Sequence, residues 1–600
     1  MFKINKSILI LFFICMFLTM AVVSAKDNSA DTLENNDSIM ENISKNNSFT
    51  DLNKEINSDL NKSEIILNED YFYHEGDISE GINITRSLTI DGQGHTIDGK
   101  QKSKIFIIQA KNVTLKNIKF INTYDLNSAS AIFFAAKSTA SIINSTFINN
   151  YGWDGGAIFL DDNATGTITD CIFYNNSAGY GGAIFQVTNS TTKIKNCIFN
   201  NNNARISPVY GYGGAIMYSL DSKGIIENSN FTNNSATLCA GAIVFLQGAS
   251  VIISNSNFNN NSAPQGGALY HMDYANTTIS NSIFTNNTAK TKGGSIYYTW
   301  SHNTLLNSTF INNVANDGGA IYNYKGSKNI IDNSSFINNS AKNGGAIFYR
   351  DNTKGIINNS VFIGNNAEMG GGIYYLNESS KGIVNNSIFI RNYAINKSTI
   401  HGGKVYNCTV IKITPNIIFN KLIYIYSEDD YLKITFKGFN NSAIRNTIVN
   451  IEINGISNNT LTTNDNGEII ISTKKLLPNS YKIMAFFKED DNYQNTTLTQ
   501  SIYVKKIPVN ILAKKKTFKA KKKIKKYSIS LKDNKNKAIS NAKVTLNVKG
   551  KKYISKTNKN GKVIFKLKKL NKKGKYLTTI KYNGDSFFNN SIKKIKLRIK

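Results

Sequence analysis

Cysteine is scarce in this 600-residue chain, with five in all: Cys15, Cys171, Cys197, Cys239 and Cys408. So few thiols make no disulfide framework of the kind that staples small secreted domains. Histidine is as sparse, also five, which leaves little for a metal site or for imidazole base chemistry, and no cofactor is expected. Past the first twenty residues no apolar run approaches eighteen, so no second membrane segment is expected. Acids all but vanish at the end. Residues 506–600 hold 32 Lys and Arg against Asp533 and Asp585, while the rest of the chain holds 39 basic and 38 acidic residues. The chain is a neutral body with a cationic end, and 600 residues are too many for one core.

The start has its own pattern. Lys3 and Lys6 precede an apolar run from Ile8 to Met20, and Val23-Ser24-Ala25 follows. That is the order of a secretory signal peptide, placed at 1–25, with a retained anchor as the alternative. Residues 26–63 are rich in Asn, Ser, Asp and Glu without apolar periodicity and read as a flexible lead segment.

What is present in abundance is a repeat. Gly-Gly-Ala-Ile stands at 155–158, 181–184 and 213–216, with weaker or equal copies through Gly370-Gly371-Gly372-Ile373. Asn-Ser-x-Phe-x-x-Asn phrases alternate with it, centred on Phe147, Phe173, Phe199, Phe231 and on to Phe389. Steps of 26 to 32 residues mark a solenoid with one supersecondary unit per repeat. An all-aliphatic column (Ile142, Ile168, Ile194 and onward) lies five residues before each Phe, and both columns should face inward. An odd separation would put them on opposite faces of one strand, so a corner must fall between them. The Asn or Asp three residues before each Phe, as at Asn144 and Asp170, supplies it. A second Asn column, Asn150 to Asn392, is expected to bond up the coil. Three short strands per coil make a parallel β-helix, placed at 64–410. Cys171 and Cys197 occupy a position that is Ser in the other repeats; small buried side chains are the preferred reading over a disulfide.

Beyond 411, two units match at offsets of 94–95 residues: Thr463-Asn464-Asp465-Asn466-Gly467 with Thr557-Asn558-Lys559-Asn560-Gly561, Tyr481 with Tyr576, Asp490 with Asp585. Each alternates through about seven strands, the pattern of an immunoglobulin-like β-sandwich, placed at 411–505 and 506–600. The fold class is therefore all-β.

Chemistry is harder to place. Hydrolysis of a glycan needs two carboxylates flanking one bond. Asp161-Asp162 is the nearest candidate, but adjacent strand residues point oppositely and paired loop acids are usually just solvated. Gly92-Gln93-Gly94-His95 has a glycine-flanked histidine like that of pectin hydrolases, with no Arg-x-Lys partner after it. The column after the inward Ile is rich in aromatics, with Tyr270, Tyr297, Tyr322, Phe348 and Tyr374 along its later part. It should point outward, as a stripe able to stack on sugars or a partner, or, on the preferred reading, as a ladder stabilising the sheet, with the Gly-pair loops as its candidate cover. Lys514, Lys515, Lys516, Lys521, Lys522, Lys523, Lys525 and Lys526 mark the densest basic patch, suited to a polyanion. The leader favours an anionic wall polymer or envelope over nucleic acid.

The Gly-Gly-Ala-Ile and Phe-x-x-Asn pair resembles the repeat of chlamydial polymorphic outer-membrane proteins. The layout as a whole is similar to the adhesin-like surface proteins of gut methanogenic archaea: leader, β-helix of this repeat, then immunoglobulin-like units with a Thr-Asn-x-x-Gly turn. The resemblance implies a non-enzymatic, cell-surface protein of the archaeal envelope, contacting host or neighbouring-cell glycans or proteins. A C-terminal membrane barrel of the chlamydial kind is not expected, since the last strand, Ile595–Lys600, is Lys-rich. A polysaccharide lyase or hydrolase on the same scaffold is the alternative.

Overall fold

The computed structural model describes residues 47–600 except 129–130, 206–210, 397, 429 and 455–456. The expected leader lies outside the described residues. One rung shows how the repeat folds. It runs through Ile158–Leu160, Thr165–Thr169, Ile172–Tyr174 and the short Ser177–Ala178. The next rung lies parallel to it and in register, Ile158 against Ile184, Ile168 against Ile194 and Phe173 against Phe199. Repetition builds three parallel sheets of 13, 14 and 14 strands, here called first, second and third in rung order, and a fourth ladder of seven. At about 4.8 Å per rung the solenoid is about 60 Å long.

The corner residues do what their type permits. Asn144, Asp170, Asn196 and the later members of that column have φ between 45° and 56°, which Asn and Asp tolerate better than other side chains. The turn lets both the aliphatic and the Phe columns point inward, and both are buried. The Phe rings stack 4.6–4.9 Å apart from Phe120 to Phe389. The inner Asn column is buried and bonded throughout. The Asn261 amide donates to Phe231 O (2.9 Å) and Asn287 Oδ1 (3.0 Å), and its backbone N–H donates to Asn287 Oδ1 (3.0 Å). Backbone groups left unpaired at the bend are thus satisfied in a dry interior, where an unpaired one would cost about 1–3 kcal/mol.

The Gly pair answers two separate demands. Gly155 has φ +68°, and a Cβ on Gly156 would stand 2.2 Å from Gly182 O of the next rung. The first needs a left-handed backbone and the second needs close stacking. Cys171 and Cys197 are free and buried. Each Sγ donates to the carbonyl two residues back, at 3.2 Å, as the Ser229 hydroxyl does to Glu227 O at 2.9 Å.

The lead segment departs from expectation. Helix α1, Phe49–Asn57, closes the first rungs and buries Phe49, Leu52 and Ile56. Ser48 and Asp51 form a reciprocal capping box, Asp51 N donating to Ser48 Oγ and Ser48 N to Asp51 Oδ2. Three apolar residues at helical spacing in a polar run were too weak a period to read as order, yet they suffice when an open core end is there to receive them.

After Ile411 the chain forms two sandwiches, each a three-stranded and a five-stranded sheet. The first has Asn416–Phe419, Tyr431–Lys437 and Glu468–Ser472 facing a sheet ordered Ile423–Ile425, Thr496–Lys505, Asn479–Phe487, Ile448–Ile453, Ser457–Thr462. The second has Val509–Leu512, Ile524–Asp533 and Lys562–Lys568 facing Lys516–Phe518, Ser591–Ile599, Gly574–Tyr582, Lys543–Val548, Lys551–Lys556. Eight strands stand where about seven were expected, because the entering segment splits between both sheets. Asn492 exchanges hydrogen bonds with the Ala394 backbone (2.6 and 2.9 Å), fastening the first sandwich to the solenoid. The Tyr426 and Phe587 rings stack at 5.1 Å between the sandwiches. Among the described residues no helix is long and apolar enough to cross a membrane.

Candidate functional site

The aromatic column points away from the solenoid core, but it is not an exposed stripe. Tyr270, Tyr297, Tyr322, Phe348 and Tyr374 are between 0% and 7% exposed. They form a second apolar layer, covered by the residues before the Gly pair and those after the strand, Tyr212, Met369, Met272 and Tyr324 among them. The Lys292 ammonium lies 5.4 Å over the Tyr322 ring. The covering chain comes from the Gly-pair loops, which fold back over the first sheet. The rings stack on each other, Tyr270 on Tyr297 at 4.7 Å, and present no face to a ligand from outside.

The acid candidates separate in the same way. Asp161 and Asp162 sit half-buried in the turn after the first-sheet strand, where Asp162 Oδ1 accepts from the Asn163 amide. His95 Nδ1 lies 3.0 Å from Asp70 Oδ1, which also accepts from Thr96 N, a turn-fixing arrangement. The perturbed acid is elsewhere. Burial pushes the Asp154 carboxyl up to about 6, and the Asp125 charge adds to the rise. Asp125 is held by Lys104 at 2.8 Å. Sequence reasoning passed over Asp154 because its column is mostly Tyr, Gln, Lys, Asn and Met elsewhere, with Asp317 its one other acid; only the fold brings Asp125 near.

Among the hollows on the described solenoid, two are the larger. One, about 550 Å³, is polar, with Asn149, Asn175 and Gln101 around the stacked rings of Tyr124 and Tyr151, whose centroids are 5.3 Å apart. The other, about 750 Å³ and apolar, lies between the short His401–Lys404 turn and the Leu376–Ser380 turn of the preceding rung, with the buried Tyr375 in its lining. Among the described residues no three His, Cys, Asp or Glu side chains gather as metal ligands would.

The cationic domain holds the densest chemistry. Of the predicted lysines, Lys514 and Lys515 lie on the link between the two sheets, Lys516 opens the strand Lys516–Phe518, and Lys521–Lys523 lie on the following loop, exposed, as is Lys526. Lys515 is exposed with them. Lys525 is the exception: it is fully buried. Its ammonium donates to Lys522 O (2.7 Å), Asn571 Oδ1 (3.1 Å) and Ala520 O (3.4 Å). It shapes the loop from within, because strand alternation turns it inward beside Tyr527. A further array was missed. On Ser591–Ile599 the residues Ile595, Leu597 and Ile599 face the core, and Lys594, Lys596 and Arg598 face out. Lys575 pairs with Arg598 across the strands. Period-two alternation of Lys with Ile and Leu was the signal that could have found it.

Comparison with known proteins bears mainly on the solenoid. The family description "Right handed beta helix region" matches residues 80–242 and 214–389. No curated protein matches the sequence. Among solved structures, the Yersinia pseudotuberculosis adhesin InvE is 11% identical over 31% of this chain and 60% of its own, with a TM-score of 0.18. The crystal structure of invasin, a bacterial integrin-binding protein, is 16% identical over 32% and 39%, with a TM-score of 0.21. The D0–D1 domain of intimin is 16% identical over 31% and 98%, with a TM-score of 0.14. The chain thus spans less than two thirds of InvE and of invasin, and at such scores the likeness is no guide to function.

Proposed function

The chain belongs to the right-handed β-helix family, and from that premise we propose that it is an exported, adhesin-like surface protein without enzymatic activity. The solenoid displays, and contacts glycans or proteins of a host or neighbouring cell; the second sandwich holds it to an anionic cell-wall polymer or envelope. The observation that carries this reading is the segregation of charge, 32 basic residues against two acids in one folded unit with its own core. A field of that sign binds polyanions by releasing their counterions, so retention on isolated envelopes should fall steeply with salt. It should also be lost on deleting 506–600. Retention indifferent to both treatments would sink the proposal. For the solenoid, the stacked Tyr124 and Tyr151 in their polar hollow suit a sugar ring, and Tyr124→Ala should weaken glycan-array binding.

A second reading, glycan hydrolysis, is favoured by one feature only. A carboxyl raised to about 6 near an ion-paired carboxylate is the division of labour between an acid and its partner. Release of reducing ends from acidic or neutral glycans, abolished by Asp154→Asn, would install it in place of the first.

A further inference from the structure

The two sandwiches share a strand register, so their surfaces can be compared position by position. Ser480 pairs with Tyr503 in the first, and Lys575 with Arg598 in the second. By that pairing Thr499, Ser501 and Tyr503 correspond to Lys594, Lys596 and Arg598. One outward face therefore carries two small hydroxyl side chains and a tyrosine, and the other three cations. Residues two apart on a strand stand about 6.7 Å apart, so the three cations form a row of about 13 Å, with Lys575 beside its end. All four are exposed. None of the five strands of that sheet contains an acid. The only acids of the domain are occupied in turns, Asp533 Oδ1 by Lys535 N and Lys537 N, and Asp585 Oδ1 by Phe587 N and Phe588 N.

The geometry points to the outer face of this sheet, along the row Lys594, Lys596 and Arg598, as the binding surface for a linear polyanion lying parallel to the strand. The row's regular pitch suits a chain of repeating charges, and its rigid backbone holds that pitch, whereas the Lys519–Lys523 loop offers a clump without a direction. Arg598 can take a phosphate or carboxylate in two hydrogen bonds. The inference rests on the anchoring role proposed above and narrows it to one face.

The test compares the full chain with two variants. The face variant is Lys594→Thr, Lys596→Ser and Arg598→Tyr, which installs residues the first sandwich already accommodates at these positions. The loop variant is Lys521→Ala, Lys522→Ala and Lys523→Ala. Long-chain polyphosphate and polyglutamate are the polymer probes, separating phosphate from carboxylate; vesicles of phosphatidylserine in phosphatidylcholine are the membrane probe. The face variant should lose at least about tenfold in polymer affinity at 0.1 M salt. Its salt slope should fall by about two, near 0.7 per lost cation. The loop variant should change by less than about threefold. The converse graft, Thr499→Lys, Ser501→Lys and Tyr503→Arg, should raise polymer affinity, which covers the case where the face variant is poorly folded. Equal losses from both variants, or no loss from the face variant and no gain from the graft, would overturn the assignment while leaving anchoring intact. Binding to vesicles but to neither polymer would overturn it too. Envelope retention untouched by salt and by loss of the domain would instead remove the anchoring role itself.

Discussion

Residues 411–505 and 506–600 build the same pair of sheets, yet the first sets ten basic residues against nine acids and the second sets 32 against two. The change is made at particular places. Among its described residues the first sandwich has three ion pairs of its own, Lys412–Glu489, Lys421–Asp430 and Lys433–Glu468. Following the strand registers, the positions of those three acids hold Gly584, Lys525 and Lys562 in the second. The three acids were replaced by a glycine and two lysines, and Lys433 itself by Ser528, so no pair survives at these positions. Surface pairs are worth about 0–1 kcal/mol each, so losing three is affordable to a fold whose core is unchanged in kind. Fold and surface charge have varied independently here, and only the charge speaks to function.

The largest expected effect lies at Lys525, where an acid's place is taken by a buried cation. Lys525→Ala removes three hydrogen bonds and leaves their acceptors without a donor. A loss of about 2–3 kcal/mol from the second sandwich's calorimetric transition should follow. Asp430→Ala, at the equivalent place in the first, breaks a half-exposed pair and should cost about 1 kcal/mol or less. Equal costs would mean that the buried lysine is no structural replacement for the pair.

Salt should move the two transitions in opposite directions. Between about 0.02 and 0.3 M, screening weakens the three pairs of the first sandwich and relieves lysine repulsion in the second. The second transition should rise by about 1–2 kcal/mol equivalent and the first should fall by less; parallel shifts would break the contrast.

How far the sequence showed all this depends on what kind of signal each feature leaves. The columns of Phe147 and Ile142, the corner at Asn144 and the ladder from Asn150 were legible because each recurs tenfold, and a solenoid turns sequence period directly into contact. Helix α1 was not, since it occurs once and is stabilised by an end the repeat cannot describe. The burial of Tyr270 and Tyr297 was open between an exposed stripe and the preferred covered ladder, because strand alternation gives direction only; whether something covers the outward side depends on the path of the Gly-pair loops. The Lys594, Lys596, Arg598 row was visible as alternation, but denser runs such as Lys521–Lys523 drew the eye. Counting lysines finds a charge, whereas register finds a surface, and Lys525 shows that the two need not coincide.

Acid should separate the sandwiches by a smaller margin. The Lys421 and Lys433 ammonium groups hold Asp430 and Glu468 below the usual carboxylate range. A carboxyl with a depressed folded value contributes stability that is present above its unfolded value and lost as pH falls through the folded one. The first sandwich should therefore weaken from about pH 4.5 downward, by about 1 kcal/mol or less per group. The second has one comparable group, Asp585, where burial is outweighed by hydrogen bonds from Phe587, Tyr582 and Phe588, and should change less. Identical acid profiles by fluorescence or circular dichroism would argue against the pairs as the source.

The smallest effect is the most specific. Lys433 and Glu468 of the first sandwich correspond to Ser528 and Lys562 of the second, so Ser528→Lys with Lys562→Glu rebuilds the missing pair. One pair on an exposed sheet should add about 0.5 kcal/mol to the second transition. The same change trades two positions for a net loss of one positive charge, on the three-stranded sheet opposite the cation row. If polyanion contact is confined to that row, the double variant should bind polymer nearly as the native chain does, and only its stability should differ. If contact is spread over the whole domain, affinity should fall along with the salt slope. A pair that stabilises without loosening the polymer would show that acids were removed from this side without need. A pair that stabilises and loosens together would show that the whole domain, and not one face, has been kept free of acids for its ligand.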